Sequence, residues 1–110
     1  MRGQCHCGAV ILTVPDAPRE ITDCNCSLCR RYGVLWAYWP RELVMVDEPT
    51  ETYVWGRRAL AFHRCTSCGC VTHWSGLQPE ISKAAVNARL LEGFPFAEAR
   101  IVALDGANDE

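Results

Sequence analysis

Eight cysteines stand in a chain of 110 residues, and they fall into three tight groups. The first is Cys5-His6-Cys7. The second holds Cys24, Cys26 and Cys29, and the third holds Cys65, Cys68 and Cys70. Partners as close as Cys5 and Cys7, or Cys24 and Cys26, make poor disulfides with each other. Short CxC and CxxC units suit a metal ion instead, because four thiolates at about 2.3 Å complete a tetrahedron around zinc. Any fold of this chain must therefore bring distant cysteine pairs to one point.

Cys65-Thr66-Ser67-Cys68-Gly69 has the pattern of a zinc knuckle, with a glycine after the second ligand to allow a left-handed turn. One knuckle supplies only two corners. Cys5-x-Cys7-Gly8 repeats the pattern and is the natural partner, so Cys5, Cys7, Cys65 and Cys68 form a closed tetrathiolate site whose role is structural. The middle group is different. Cys24, Cys26 and Cys29 offer three ligands and no obvious fourth, which leaves a position open to a ligand. If His6, His63, His73, Asp23 or Cys70 filled it, that site would be structural as well. Three thiolates make zinc a poor Lewis acid, whereas a thiol coordinated to zinc is deprotonated and becomes a nucleophile at neutral pH. Arg30 and Arg31, directly after Cys29, either hold the carboxylates of an acidic substrate or form a solvated pair at a loop end. Cys70 reads as a small buried apolar residue, or as a fourth ligand or redox partner. Trp36, Trp39, Trp55 and Trp74 read as core or pocket wall.

The length fits one domain over residues 1–110. Short strand-like runs at 8–14, 21–24, 34–39, 43–46, 52–55, 59–63, 71–74 and 100–104 alternate with turn signals, one of them at 47–49. Residues 84–91 suit helix or strand, and the alternation over 86–90 favours strand. Residues 105–110 read as a polar tail. The expectation is a mainly β, compact domain of short antiparallel strands with the cysteine groups at strand ends. No apolar signal region opens the sequence and no run approaches a membrane span, so a cytoplasmic protein with reduced thiols is expected. The net charge of −2 supports neither a nucleic-acid nor a membrane partner. Oligomeric state is not set by the sequence.

Taken together, Gly3-x-Cys5-x-Cys7-Gly8-x-Val10, Cys24-x-Cys26-Ser27-x-Cys29-Arg30-Arg31-x-Gly33 and Cys65-x-x-Cys68-Gly69 resemble the glutathione-dependent formaldehyde-activating enzyme family, which includes the centromere protein V group. Val86-Asn87-x-Arg89 and Leu104-Asp105-Gly106 resemble its C-terminal elements. The resemblance implies a zinc-stabilised, β-tent-like fold with two zinc ions. It implies a structural zinc on Cys5, Cys7, Cys65 and Cys68 and a catalytic zinc on Cys24, Cys26 and Cys29. The activity implied is a carbon–sulfur lyase reaction, formation of S-hydroxymethylglutathione from formaldehyde and glutathione. Asn25 departs from the family, where His is more frequent. Two rival readings are a non-catalytic zinc-binding interaction module and a thiol- or zinc-responsive redox sensor that uses Cys70.

Overall fold

The computed structural model describes residues 1–47 and 49–109. Glu48, within the turn expected at 47–49, and Glu110, at the end of the expected tail, lie outside the described residues. In chain order the strands are β1 (Arg2–Gln4), β2 (Ile11–Thr13), β3 (Glu20–Cys24), β4 (Trp36–Pro40), β5 (Met45–Asp47), β6 (Thr50–Tyr53), β7 (Leu60–Cys65), β8 (Val71–Gly76), β9 (Lys83–Asn87) and β10 (Arg100–Leu104). The α-helix α1 (Cys29–Tyr32) lies between β3 and β4. Short 3-10 turns occupy Arg41–Leu43, Ala88–Leu90, Phe96–Glu98 and Gly106–Asp109.

Seven strands form one sheet in the order β10-β3-β4-β9-β8-β7-β6, and β1-β2-β5 form a second. The fold is mainly β, as expected. The pairs are antiparallel except β3 with β10, which run parallel, Cys24 facing Leu104. That exception arises because β10 returns to the sheet edge from a long connection rather than from a hairpin turn.

Side-chain alternation explains how the large sheet buries both faces. Along β4, Ala37 joins a core with Leu12, Ile21 and Val86, over which β2 packs. Trp36, one residue earlier, points the other way and joins Phe62, Trp74, Ala85 and the three middle cysteines. Alternate residues of a strand face opposite sides of a sheet, so one strand serves two cores. The central strand β9 has Ala84, Ala85, Val86 and Asn87 all buried, as a strand covered on both faces does.

The 84–91 segment is strand only to Asn87. There the Asn87 side chain accepts the Arg89 N–H and starts a 3-10 turn. Between β7 and β8 the register shifts after His63, so that Thr72 is the extra residue of a β-bulge. Its hydroxyl donates to the His63 carbonyl at 3.3 Å and bonds His73 Nδ1 at 2.9 Å.

Candidate metal centres

The two knuckles share one backbone device. The Cys5 N–H donates to the Val10 carbonyl at 3.1 Å, and the Cys65 N–H to the Cys70 carbonyl at 3.0 Å. Each loop therefore closes over five residues and points its thiols inward, with Gly8 at φ 82° and Gly69 at φ 79° making the left-handed turn. β1 delivers the first knuckle and β7 the second. The sulfurs of Cys5, Cys7, Cys65 and Cys68 lie within 4.8 Å of one another. Cys5 to Cys7 is 3.7 Å and Cys7 to Cys65 is 3.6 Å, sulfur to sulfur. A tetrahedron has an edge about 1.63 times its bond length, so thiolates on zinc would stand about 3.8 Å apart. The group fits a tetrahedral thiolate-bound ion.

Backbone N–H groups converge on these sulfurs. Val10 donates to Cys5 Sγ at 3.3 Å, while Ser67 and Cys68 donate to Cys65 Sγ at 3.4 and 3.5 Å. The Cys70 and Cys7 N–H groups draw the Cys68 thiol down to about 5, and the Cys68 and Ser67 N–H groups lower Cys65. Hydrogen bonds to the charged form favour thiolate, the form a metal requires.

The middle cysteines form a second group, also within 4.8 Å and all buried. β3 ends at Cys24, and α1 begins at Cys29. The loop between them is tied by the Arg30 N–H to the Cys26 carbonyl at 3.1 Å and the Gly33 N–H to the Cys29 carbonyl at 3.0 Å. Cys26 Sγ accepts the Cys29 N–H at 3.3 Å, and Cys29 Sγ accepts the Trp36 Nε1–H at 3.3 Å. Burial pushes the Cys24 thiol up, and it pushes Cys29 up against the pull of the Trp36 N–H. Burial also opposes ionisation of Cys26, but the Cys29 N–H and the neighbouring thiols bring it down.

Among the described residues, no His, Cys, Asp or Glu joins this group as a fourth donor. Each proposed fourth ligand is elsewhere. His63 and His73 stack on each other with centroids 4.0 Å apart. Thr50 and Ser75 hydroxyls hold the two nitrogens of His63 at 2.7 Å, and burial lowers both imidazoles, His73 to about 3. His6 and Asp23 are exposed, and Cys70 belongs to neither sulfur group.

A cavity of about 260 Å³ opens beside Cys24, Cys26 and Cys29. Its walls are aromatic, from Trp36, Tyr38, Trp55, Phe62 and Trp74. Arg30 and Arg31 do not line it, and Arg31 Nη1 donates to the Ser27 carbonyl at 2.7 Å. The cation on the lining is Arg57, from the β6–β7 loop. Sequence reasoning missed Arg57, Tyr38 and Asp109, because only tertiary pairing brings them to the triad: β4, β9, β8 and β7 in sheet order carry Tyr38 and the loop of Arg57, and β10 beside β3 carries the segment of Asp109.

The C-terminal segment covers the cysteines on one side. Asn25 holds it there: its N–H donates to the Leu104 carbonyl at 3.1 Å, its Nδ2 to Asp105 Oδ1 at 3.0 Å, and its Oδ1 accepts the Ala107 N–H at 3.0 Å. Residues expected to form only a polar tail thus form one wall of the site. A Cβ at Gly106 would stand 2.6 Å from Cys24 Sγ. Gly106→Ala is therefore expected to displace either the segment or the sulfur and to weaken metal binding at the triad about tenfold or more, with a smaller effect on unfolding. Competition with a chromogenic zinc chelator measures this, and unchanged affinity would show that the segment does not press on the site.

Residues 1–98 match the model of the family described as "Glutathione-dependent formaldehyde-activating enzyme". Among solved structures, the chain is similar to that of a Rhodobacter sphaeroides protein, with 31% identity and a TM-score of 0.78. The match covers 93% of this chain and 100% of that one. No curated protein matches. Among the described residues, no helix is long and apolar enough to cross a membrane.

Proposed function

The chain belongs to the glutathione-dependent formaldehyde-activating enzyme family, and from that premise we propose that it is a zinc-dependent enzyme of the carbon–sulfur lyase type, forming or cleaving an adduct between a small thiol and an aldehyde, such as S-hydroxymethylglutathione. The observation that carries this reading is the three-sulfur group, set in the wall of a cavity and with no fourth protein donor among the described residues. A closed site would offer an incoming ligand nothing, whereas three soft donors beside open space suit capture of a thiol.

Cys24, Cys26 and Cys29 are the residues that would hold the catalytic zinc, and Cys5, Cys7, Cys65 and Cys68 the structural one. When bound at the triad, zinc keeps a coordinated thiol deprotonated at neutral pH. Adduct formation makes one carbon–sulfur bond, moves the carbonyl π pair to oxygen and places one proton on that oxygen. Cleavage is the reverse. The Trp36 Nε1–H holds the Cys29 sulfur, and the aromatic walls set a mostly apolar surface beside the reacting atoms. Tyr38, a phenol that burial pushes up and whose hydroxyl the Thr22 side chain also bonds, supplies the hydroxyl on the lining able to hydrogen-bond the developing oxygen charge.

The test is the rate of adduct formation from ¹³C-formaldehyde, followed by exchange NMR, with glutathione and with benzyl mercaptan. Zinc-loaded protein is expected to accelerate at least one of them over metal-free protein, and Tyr38→Phe to slow it about tenfold or more. Equal rates with loaded and metal-free protein for both thiols would overturn the reading.

A further inference from the structure

The cavity beside the triad is unlike a peptide site. Rings from β4, β7, β8 and the β6–β7 loop surround it: Trp36 and Phe62 have centroids 6.1 Å apart at 49°, and Tyr38 and Trp74 6.0 Å apart at 57°. Leu60 and Leu104 add aliphatic wall. Arg57 and Asp109 are the charged side chains on the lining, and neither is in an ion pair among the described residues. Arg57 sits in a tight loop that turns at Gly56 and again at Arg58, both at φ 58°, with the Arg58 N–H held by the Trp55 carbonyl at 3.0 Å. Positive φ at a non-glycine residue is uncommon, and here it shapes the segment that carries Trp55 and Arg57 to the cavity.

These features set a chemical requirement on the occupant. A tripeptide brings amide N–H and C=O groups and a second carboxylate, and each buried polar group that lacks a partner weakens binding. The lining has few polar partners to give. It has broad ring faces, which favour a planar apolar body, and one guanidinium with no ion-pair partner among the described residues, able to take a single carboxylate. We infer that the thiol taken at this site carries an aromatic body next to its sulfur and one carboxylate that reaches Arg57, in preference to glutathione. The inference rests on the reading of Cys24, Cys26 and Cys29 as a thiol-binding metal site.

Three probes test it: benzyl mercaptan, 4-(mercaptomethyl)benzoate and glutathione, each titrated into the full chain, zinc-loaded and metal-free. Binding is read from the fluorescence of the cavity tryptophans. Zinc-loaded protein is expected to bind benzyl mercaptan about tenfold or more tighter than glutathione, and the carboxylated aromatic thiol about fivefold tighter again. In Arg57→Gln the ratio between the two aromatic thiols should fall to about one. Glutathione binding as tightly as benzyl mercaptan, but only with zinc present, would overturn the inference and leave the metal–thiol reading standing. An aromatic preference that is the same with and without zinc would support the apolar specificity and overturn the metal–thiol reading. A carboxylate effect that survives Arg57→Gln would overturn the part given to Arg57, and absence of binding by all three would overturn both readings.

Discussion

Replacing Cys65 by serine is expected to leave no stably folded protein at room temperature. Cys65 is 2% exposed and ends β7, where its sulfur meets the Cys7 sulfur at 3.6 Å and accepts two backbone N–H groups. A tetrathiolate zinc of this kind is worth roughly 10–16 kcal/mol apparent, whereas a domain of this size has a net stability of about 5–15 kcal/mol. Loss of one ligand removes much of the first quantity, which is as large as the second. Apart from the sulfurs, the knuckles are joined by a small core of Cys5, Val10 and Cys65, edged by Val46, Cys68 and Cys70, and by the Cys7 and His6 N–H groups, which bond the Cys68 and Cys70 thiols. Cys70→Ser is the matched control: Cys70 lies outside the four-sulfur group, and a serine oxygen can still accept the His6 N–H that its thiol accepts now, so stability should change by no more than about 1 kcal/mol. Soluble yield and thermal unfolding by circular dichroism compare the two. If Cys65→Ser melted near the wild-type temperature, the four-sulfur group would not be what holds the fold.

The opposite outcome is expected at the other group. Cys26→Ser should lose the second metal and slow the thiol–aldehyde reaction to the metal-free rate, a loss of about a hundredfold or more, while the fold survives. The loop around Cys26 has supports that do not depend on a metal. The first turn of α1 is hydrogen-bonded back to Cys26 and Leu28, Asn25 is bonded to the C-terminal segment, and Trp36, Phe62 and Trp74 pack beneath. A serine oxygen at position 26 can still accept the Cys29 N–H that Cys26 Sγ accepts now. The variant should therefore keep its far-UV spectrum and a cooperative melt. Should Cys26→Ser unfold as Cys65→Ser does, the division into structural and catalytic sites would be wrong.

The cysteine spacing made the sulfur groups legible because a knuckle is a local object: two thiols and a glycine within five residues specify the turn. Joining Cys5 and Cys7 to Cys65 and Cys68 needed one further step, that two half-sites imply each other. The strands at 34–39, 59–63, 71–74 and 100–104 were legible for a similar reason, since β-branched and aromatic runs between turn residues have few other uses. Other features were hidden. β1 is three residues long with Gly3 at its centre and shows no alternation. α1 is a single turn whose Arg30 and Arg31 lie on the solvent side, so it carries no apolar period.

The cavity lining was the least legible part. Arg30 and Arg31 drew attention by lying next to Cys29 in sequence, yet Arg57 reaches the cavity from a loop 28 residues beyond Cys29 (57 − 29). Adjacency along the chain is a weak guide where strands cross. The role of residues 105–109 was hidden because polar composition does not reveal that Asn25 captures them, or that Gly106 leaves room for a sulfur.

The most direct test of two metal sites with unequal roles is zinc content per chain, by elemental mass spectrometry, on protein purified without chelator and then equilibrated with zinc. Two zinc ions per wild-type chain and one per Cys26→Ser chain are expected. One zinc per wild-type chain, unchanged after zinc is added and unchanged again in Cys26→Ser, would contradict the account, because Cys24, Cys26 and Cys29 would then not be a metal site.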